Sequence, residues 1–319
     1  MKKSDFDYIL QLLKRYAGWS LSADNYFLVD NKIYNFVCEK GYASSEELIQ
    51  ELRMGQKSML WQVIEALTLS DTYFFRDYSV FRSFEKLILP RLREVNRSSK
   101  KLRIWSLGCS TGQETYSIGM SLADNLQAVG DWNINILGTD ISTPAITKAQ
   151  HGAYSQLEVQ MGMNIRRIIS HFHKDGDFWV INPDIAANIK FLRYNLLDNL
   201  SNVEPFDVIF CRYVLRYFAP ELQRQIIAKI HKYQVPAGFL YLGLNERIAG
   251  LDDYYDEVPG MPCLYQAKQK PLENSGSAAK KIATSKSGEM PKLQRPHQKG
   301  ISRPLPKRQV VEQDIKNKF

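Results

Sequence analysis

Apolar residues recur at helical spacing through the first third of the chain. Phe6, Ile9, Leu10 and Leu13 fall at i, i+3, i+4 and i+7, and Tyr26, Val29, Ile33, Phe36 and Val37 repeat the stripe one segment later. Gly41 stands where the second helix should stop. Ser44 with Glu47 three residues on predicts a capping box that opens a third helix, and Leu60, Val63, Ile64 and Leu67 give a fourth stripe. Residues 1–95 therefore read as a small helical domain.

From Leu102 the period changes. Short apolar runs alternate with helical patterns, the signature of a parallel sheet with crossover helices. Strands are predicted over 102–107, 134–139, 189–194, 206–211 and 239–242, with long helices over 113–126 and 220–233. Residues 254–258 and 263–267 flank a Pro259-Gly260-Met261-Pro262 turn and predict an antiparallel pair at the sheet edge. Between His151 and Asn188 the alternation breaks. The strand-like run Phe178–Ile181, after Lys174-Asp175-Gly176-Asp177, points to a small α/β insertion over about 152–190. The expected organisation is a helical domain over 1–95, an α/β domain over 96–268 and a tail over 269–319.

Charge changes this picture only at the tail. A net charge of +8 would suit a nucleic-acid binder, but residues 268–319 hold 13 Lys or Arg against 4 Asp or Glu, which leaves −1 for everything before them. The body is therefore not basic, and no nucleic-acid partner is expected. The tail has one aromatic, Phe319, and few large aliphatics, so it reads as a solvated, disordered segment. The chain is 44% hydrophobic, without an apolar run of the ~18 residues that span a bilayer. The charged start, without a signal-peptide pattern, predicts a cytoplasmic protein with no membrane insertion. Cys38, Cys109, Cys211 and Cys263 are scattered and read as buried thiols. The five histidines show no ligand spacing, so no metal site is expected.

The strongest local signal is Ile104-Trp105-Ser106-Leu107-Gly108-Cys109-Ser110-Thr111-Gly112-Gln113-Glu114. A strand runs into a glycine turn and then a helix, which lets a ligand approach the backbone at Gly108. The segment lacks the Gly-Lys-Ser/Thr of a phosphate cradle and the third glycine of the dinucleotide fingerprint, and Glu114 would repel a pyrophosphate at the helix start. A carboxylate there suits a cationic ligand, such as the ammonium and sulfonium of S-adenosylmethionine. The next strand ends Gly138-Thr139-Asp140, where a carboxylate can accept hydrogen bonds from ribose hydroxyls. Asp140 could instead cap the following helix, but Ser142 or Thr143 serves that purpose better. The antiparallel sheet ending fits a methyltransferase better than a dehydrogenase.

Together with Phe74-Phe75-Arg76-Asp77, Asn195-Leu196-Leu197 and Phe206-Asp207-Val208-Ile209-Phe210-Cys211-Arg212, these segments resemble, in order and spacing, the CheR-type methyltransferases. Those enzymes esterify glutamate side chains on bacterial chemoreceptors, and the resemblance covers roughly residues 5–268. It implies a Rossmann-like class I methyltransferase sheet, S-adenosylmethionine as cofactor, and a monomer acting on the cytoplasmic domain of a methyl-accepting chemoreceptor. Thr72 and Arg76 would then touch the methionine end of the cofactor, Glu114 its ammonium, Asp140 the ribose, and Asn195 and Leu196 the adenine. Arg212 would stand at the far rim, while Arg76 and Tyr217 would face the reacting carboxylate. Ser70 and Tyr213 occupy two cofactor-side positions where the family carries amides. Arg216 replaces an aliphatic residue, and Gly243-Leu244-Asn245-Glu246 replaces Gly-His-Ser-Glu, so the cofactor-contact skeleton is expected to survive and the methyl-acceptor side to be remodelled. The loop 172–178 of the insertion is short with one glycine, which does not favour tethering of a receptor peptide there. A non-catalytic domain binding the same cofactor, and a methyltransferase acting on a small molecule or RNA, are the competing readings. Phe74 and Phe75 are expected to be core wedges.

Overall fold

The computed structural model describes residues 1–68, 71–125, 132–201 and 203–269. Four helices come first: α1 (Lys3–Ala17), α2 (Tyr26–Lys40), α3 (Ser45–Arg53) and α4 (Lys57–Leu67). The apolar stripes read from the sequence are the faces they bury, and Phe6, Ile9, Leu13, Val29, Ile33, Phe36, Val63 and Ile64 form one cluster of their own. At α3 only half of the capping box forms. Ser44 accepts from the Glu47 amide, while the Glu47 carboxylate reaches back to the Ala43 amide instead. Cys38 corrects the reading of four buried thiols: it lies on α2 off the Val29, Ile33, Phe36, Val37 stripe and is exposed.

Two further helices, α5 (Tyr78–Ser83) and α6 (Leu89–Val95), are joined through a π-helical turn over Phe84–Ile88. Their buried residues, Val80, Phe81, Phe84, Ile88, Leu89 and Leu92, belong to the cluster of the sheet rather than to that of α1 to α4. Phe74 and Phe75 join the same cluster, 0% and 2% exposed, with Phe74 edge-on to Tyr154 and Phe172.

The remaining elements alternate. They are β1 (Lys101–Leu107), α7 (Gln113–Asn125), β2 (Asn133–Asp140), α8 (Thr143–His151), β3 (Ala153–Ser155), α9 (Gln156–Gln160), α10 (Ile165–His171), β4 (Phe172–Asp175) and β5 (Phe178–Ile181). After these come α11 (Pro183–Ala186), β6 (Ile189–Arg193), β7 (Phe206–Phe210), α12 (Pro220–Lys232), β8 (Gln234–Tyr241), β9 (Tyr255–Glu257) and β10 (Leu264–Ala267). Among the described residues, seven strands form a sheet in the order β6-β2-β1-β7-β8-β10-β9. The first five are parallel, and β10 runs antiparallel to both β8 and β9. This is the α/β, Rossmann-like architecture expected. β3, β5 and β4 make a separate antiparallel sheet. Of these three only β5 was legible, because its four residues Phe178–Ile181 are a continuous apolar run, whereas β3 (Ala-Tyr-Ser) and β4 (Phe-His-Lys-Asp) each carry a single large apolar or aromatic residue. The strand predicted over 239–242 begins earlier, at Gln234, where Pro236 and Gly238 hide it from any apolar pattern.

The topology fixes where a ligand can sit. From β1 the chain moves outward through β2 to β6, then crosses back to place β7 on the other side of β1. The crevice at the carboxyl ends of strands flanking such a reversal is the ordinary binding position of an open α/β sheet.

Candidate functional site

That crevice holds a pocket open to solvent, in the position where open α/β sheets bind small organic ligands. Gly108 after β1, Asp140 at the end of β2, Asn195 and Leu196 after β6, and Arg212, Tyr213 and Tyr217 after β7 all line it. So do Glu114 from the first turn of α7 and Thr72 and Arg76 from the segment between α4 and α5. The structure thus brings together every site residue named from the sequence except Ser70, which lies outside the described residues.

Gly108 has a φ of +72°, and a Cβ there would stand 2.2 Å from Cγ2 of Val214. Both facts demand glycine, since the left-handed region strains any other residue and Val214 occupies the space. Asp140 is held by two backbone donors: Ser110 N–H to Oδ2 at 2.9 Å and Ser142 N–H to Oδ1 at 2.9 Å. Each oxygen keeps a lone pair for a hydroxyl. Burial pushes the Asp140 carboxyl above its usual range, with the amides opposing the shift. The helix-cap role falls to Ser142, whose hydroxyl accepts from the Ala145 amide.

Arg212 corrects one expectation. It is not at a rim but under the pocket, 5% exposed. Nη1 donates to Glu114 at 2.9 Å, and Nη2 donates to Asp77 at 2.6 Å and to the Arg76 carbonyl at 2.8 Å. Burial opposes its charge, but Glu114 and Asp77 prevail and hold the guanidinium firmly protonated. The ion triad therefore braces the Arg76 backbone. On either side of Arg76, Phe75 (φ +53°) and Asp77 (φ +58°) adopt the left-handed conformation, a strain tolerated only where surrounding contacts impose it. The Phe75 amide is tied to Ser117 Oγ at 2.9 Å, which completes the clamp.

The Arg76 guanidinium turns into the pocket, 4.3 Å from the centre of the Tyr213 ring, and pairs with Asp71, whose own side chain is 80% exposed. Tyr213 (φ +62°) donates its hydroxyl to Asp77 and accepts from the Leu244 amide. Burial and the bond to Asp77 raise its pKa. Glu246 caps this corner by accepting from the amides of Tyr213 and Gly243. The Asn195 side chain is spent on structure. It donates to the Tyr16 carbonyl at 2.8 Å and accepts from the Leu197 amide, so any contact with a base would come from its backbone or its spare N–H.

Trp19 and Ser110 are among the lining residues that sequence reasoning did not assign to the site. Trp19 roofs the pocket from the end of α1, bridged to Phe218 and 6.4 Å from the Tyr217 ring. Nothing in its local pattern shows this, because the contact spans some 200 positions of chain. Ser110 was visible within the glycine turn. Its buried hydroxyl has no partner among the described residues. An orphan hydroxyl, two carboxylates and an apolar wall of Leu107, Ile141, Tyr194 and Leu196 fit a ligand with a cationic head, hydroxyls and a flat base.

Fold and pocket together define a class I S-adenosylmethionine-binding α/β enzyme. Residues 70–262 match the family model described as CheR methyltransferase, SAM binding domain, so the chain belongs to the CheR methyltransferase family. Chemotaxis protein methyltransferase 1 of Pseudomonas aeruginosa is 32% identical over 271 residues, 83% of this chain and 98% of that protein. A chemotaxis protein methyltransferase of Pseudomonas putida gives the same figures. That of Listeria monocytogenes is 31% identical over 252 residues, 79% of this chain and 93% of its own. The methyl donor of the chain is S-adenosylmethionine. No helix among the described residues is long and apolar enough to cross a membrane.

Proposed function

We propose that the protein transfers a methyl group from S-adenosylmethionine to glutamate side chains on the cytoplasmic domain of a methyl-accepting chemoreceptor, acting as a cytoplasmic monomer. The observation that carries this reading is Arg76. Its guanidinium is held over Tyr213 in the pocket by a strained, triad-braced segment, and its one ion-pair partner among the described residues is the solvent-exposed Asp71. An incoming carboxylate can displace the Asp71 carboxylate from Nη2 at little cost, because exposed pairs contribute at most about 1 kcal/mol, while Nη1 stays on the Asp71 carbonyl.

When bound, S-adenosylmethionine supplies an activated methyl group on its sulfonium. In this reading Asp140 and the Ser110 hydroxyl bind the ribose end, and Glu114 faces the ammonium with the charge that Arg212 does not cancel. Thr72 and Arg76 border the methionine end, with Asn195 and Leu196 beside the base. Glutamate, with an ordinary pKa of about 4.3, is already ionised at neutral pH, so no general base is required. Arg76 orients the acceptor carboxylate, leaving one oxygen lone pair free to attack, and Tyr217 closes the pocket beside it. Trp19 and Tyr217 help keep water out. Positioning of this kind can contribute several kcal/mol to the barrier.

Incubation with methyl-labelled S-adenosylmethionine and the cytoplasmic fragments of receptors from the same organism tests the proposal. The expected result is base-labile methyl incorporation into at least one fragment, together with a raised melting temperature in S-adenosylhomocysteine. Ligand-induced stabilisation without incorporation into any receptor would overturn the receptor assignment while leaving the cofactor site in place.

A further inference from the structure

Three guanidinium carbons surround the ring of Tyr213: Arg76 at 4.3 Å, Arg216 at 5.5 Å and Arg212 at 5.6 Å from its centre. Arg212 is consumed by Glu114 and Asp77. Arg216 is not. It is exposed at the pocket wall, it makes no ion pair among the described residues, and its one polar contact there is Nη2 to the Tyr217 hydroxyl at 3.2 Å. Its guanidinium lies 5.3 Å from the Tyr217 ring as well, so two aromatic faces hold it at the mouth. Glu246, the carboxylate whose field reaches Arg216, makes no direct ion pair with it: Oε2 accepts from two backbone amides, and Oε1 has no hydrogen-bond partner among the described residues. A cation held by two rings, with no direct ion pair among the described residues and only the longer-range pull of Glu246, beside a pocket in a body of net charge −1, is a local feature rather than part of a general basic surface.

We infer that Arg216, propped between Tyr213 and Tyr217, forms a second anion subsite that takes a carboxylate neighbouring the target glutamate in the acceptor segment. Arg76 and Arg216 flank one ring, so they present two forks on one wall: the inner for the carboxylate that is methylated, the outer for an acidic neighbour that is not. The chain would therefore prefer target glutamates embedded in acidic sequence. This deepens the proposed function and rests on it. Arg216 is a specificity-determining residue in this account. It acts on binding of the acceptor and not on the methyl-transfer step.

The test uses the full chain with a receptor cytoplasmic fragment that the wild type methylates. The acidic residues within four positions of the methylated glutamate are changed to Gln one at a time. Arg216→Leu should raise KM for the unaltered fragment roughly three- to tenfold, with kcat within about twofold and S-adenosylhomocysteine affinity unchanged. Arg216→Lys should recover part of the loss. One Glu→Gln or Asp→Gln change in the receptor should raise KM for the wild type but not for Arg216→Leu, because the pair is already broken. The idea is overturned if KM is unmoved by Arg216→Leu, if kcat and cofactor affinity fall with it, or if both enzymes respond equally to every receptor change. A wild type that methylates no receptor overturns the underlying reading and this inference together, and is told apart by stabilisation in S-adenosylhomocysteine without any turnover.

Discussion

The two halves of the pocket are built differently. In the proposed reading the cofactor half is Asp140 at the end of β2, Glu114 in the first turn of α7, and Gly108 and Ser110 in the tight turn that joins β1 to α7, and backbone amides or a buried ion triad fix the two acids. On the acceptor half, Arg76, Tyr213, Arg216 and Tyr217 stand on connecting segments, and stacked rings and guanidinium groups set their positions. Hydrogen-bonded groups on strands admit few substitutes, whereas stacked side chains on loops can be exchanged without disturbing the sheet. Of the departures from the family pattern, those at 216 and 244–245 fall in the second half, the one at 213 carries the stack of that half although the family pattern puts it on the cofactor side, and the one at 69–70 lies outside the described residues. The cofactor half sets what chemistry is possible, and the acceptor half sets what it is done to.

The sharpest way to break this division is at Gly108. An alanine there would meet both the left-handed backbone, costing about 1–2 kcal/mol, and Cγ2 of the stiff Val214 side chain, costing a further ~1–3 kcal/mol. Gly108→Ala should lower the melting temperature and abolish measurable S-adenosylhomocysteine binding by calorimetry. Retained affinity would show that the turn is not where the ligand approaches the backbone. The converse variant is Arg76→Ala, which should cut turnover about a hundredfold or more while cofactor affinity falls far less. Arg76→Lys should restore only part of the activity, since an ammonium cannot reproduce the planar fork. Near-normal methylation by Arg76→Ala would make this arginine structural.

The cofactor half also carries a pH signature. Burial holds the Asp140 carboxyl above its usual range in the free protein, and hydroxyls donated by a ligand would favour the charged form. Binding therefore takes up deprotonated Asp140 and should weaken as the pH falls through that raised pKa. The onset should lie above the ordinary carboxylate range. Asp140→Ala should weaken binding by about 1–3 kcal/mol and remove this limb of the profile. Binding isotherms at several pH values check both, and an unchanged limb in the variant would assign it to another group.

The same division explains what could be read from the sequence. Gly108, Glu114 and Asp140 could be placed because a strand-turn-helix of defined period carries them, so their relative positions follow from local rules. The first four helices were legible for the same reason. Arg212 was misplaced because nothing local tells a buried triad from a charged rim. Its partners Asp77 and Glu114 lie 135 and 98 positions away in the chain. Trp19 and the stack on Tyr213 were out of reach because each depends on segments that meet only in the folded chain. Strands β3 and β4 escaped because, unlike the apolar run of the equally short β5, they are mostly polar or small residues.

The smallest effect should come from Tyr213→Asn, and it sharpens the comparison most. Tyr213 sits at φ +62°, a conformation that asparagine adopts several-fold more readily than other non-glycine residues. Backbone strain alone would then make the asparagine variant slightly more stable. Against this, the change removes the hydroxyl that contacts Asp77 and the Leu244 amide, and the ring on which Arg76 and Arg216 rest. The two effects are each about 1 kcal/mol and opposite in sign, so the melting temperature should move by no more than a few degrees. Affinity for S-adenosylhomocysteine should change little, because Asp140, Ser110 and Glu114 do not touch the ring. What should move is the acceptor KM, since both forks lose their common support. A large loss of cofactor affinity with an unchanged acceptor KM would reverse the assignment, placing Tyr213 with the cofactor half and leaving Arg216 alone on the other.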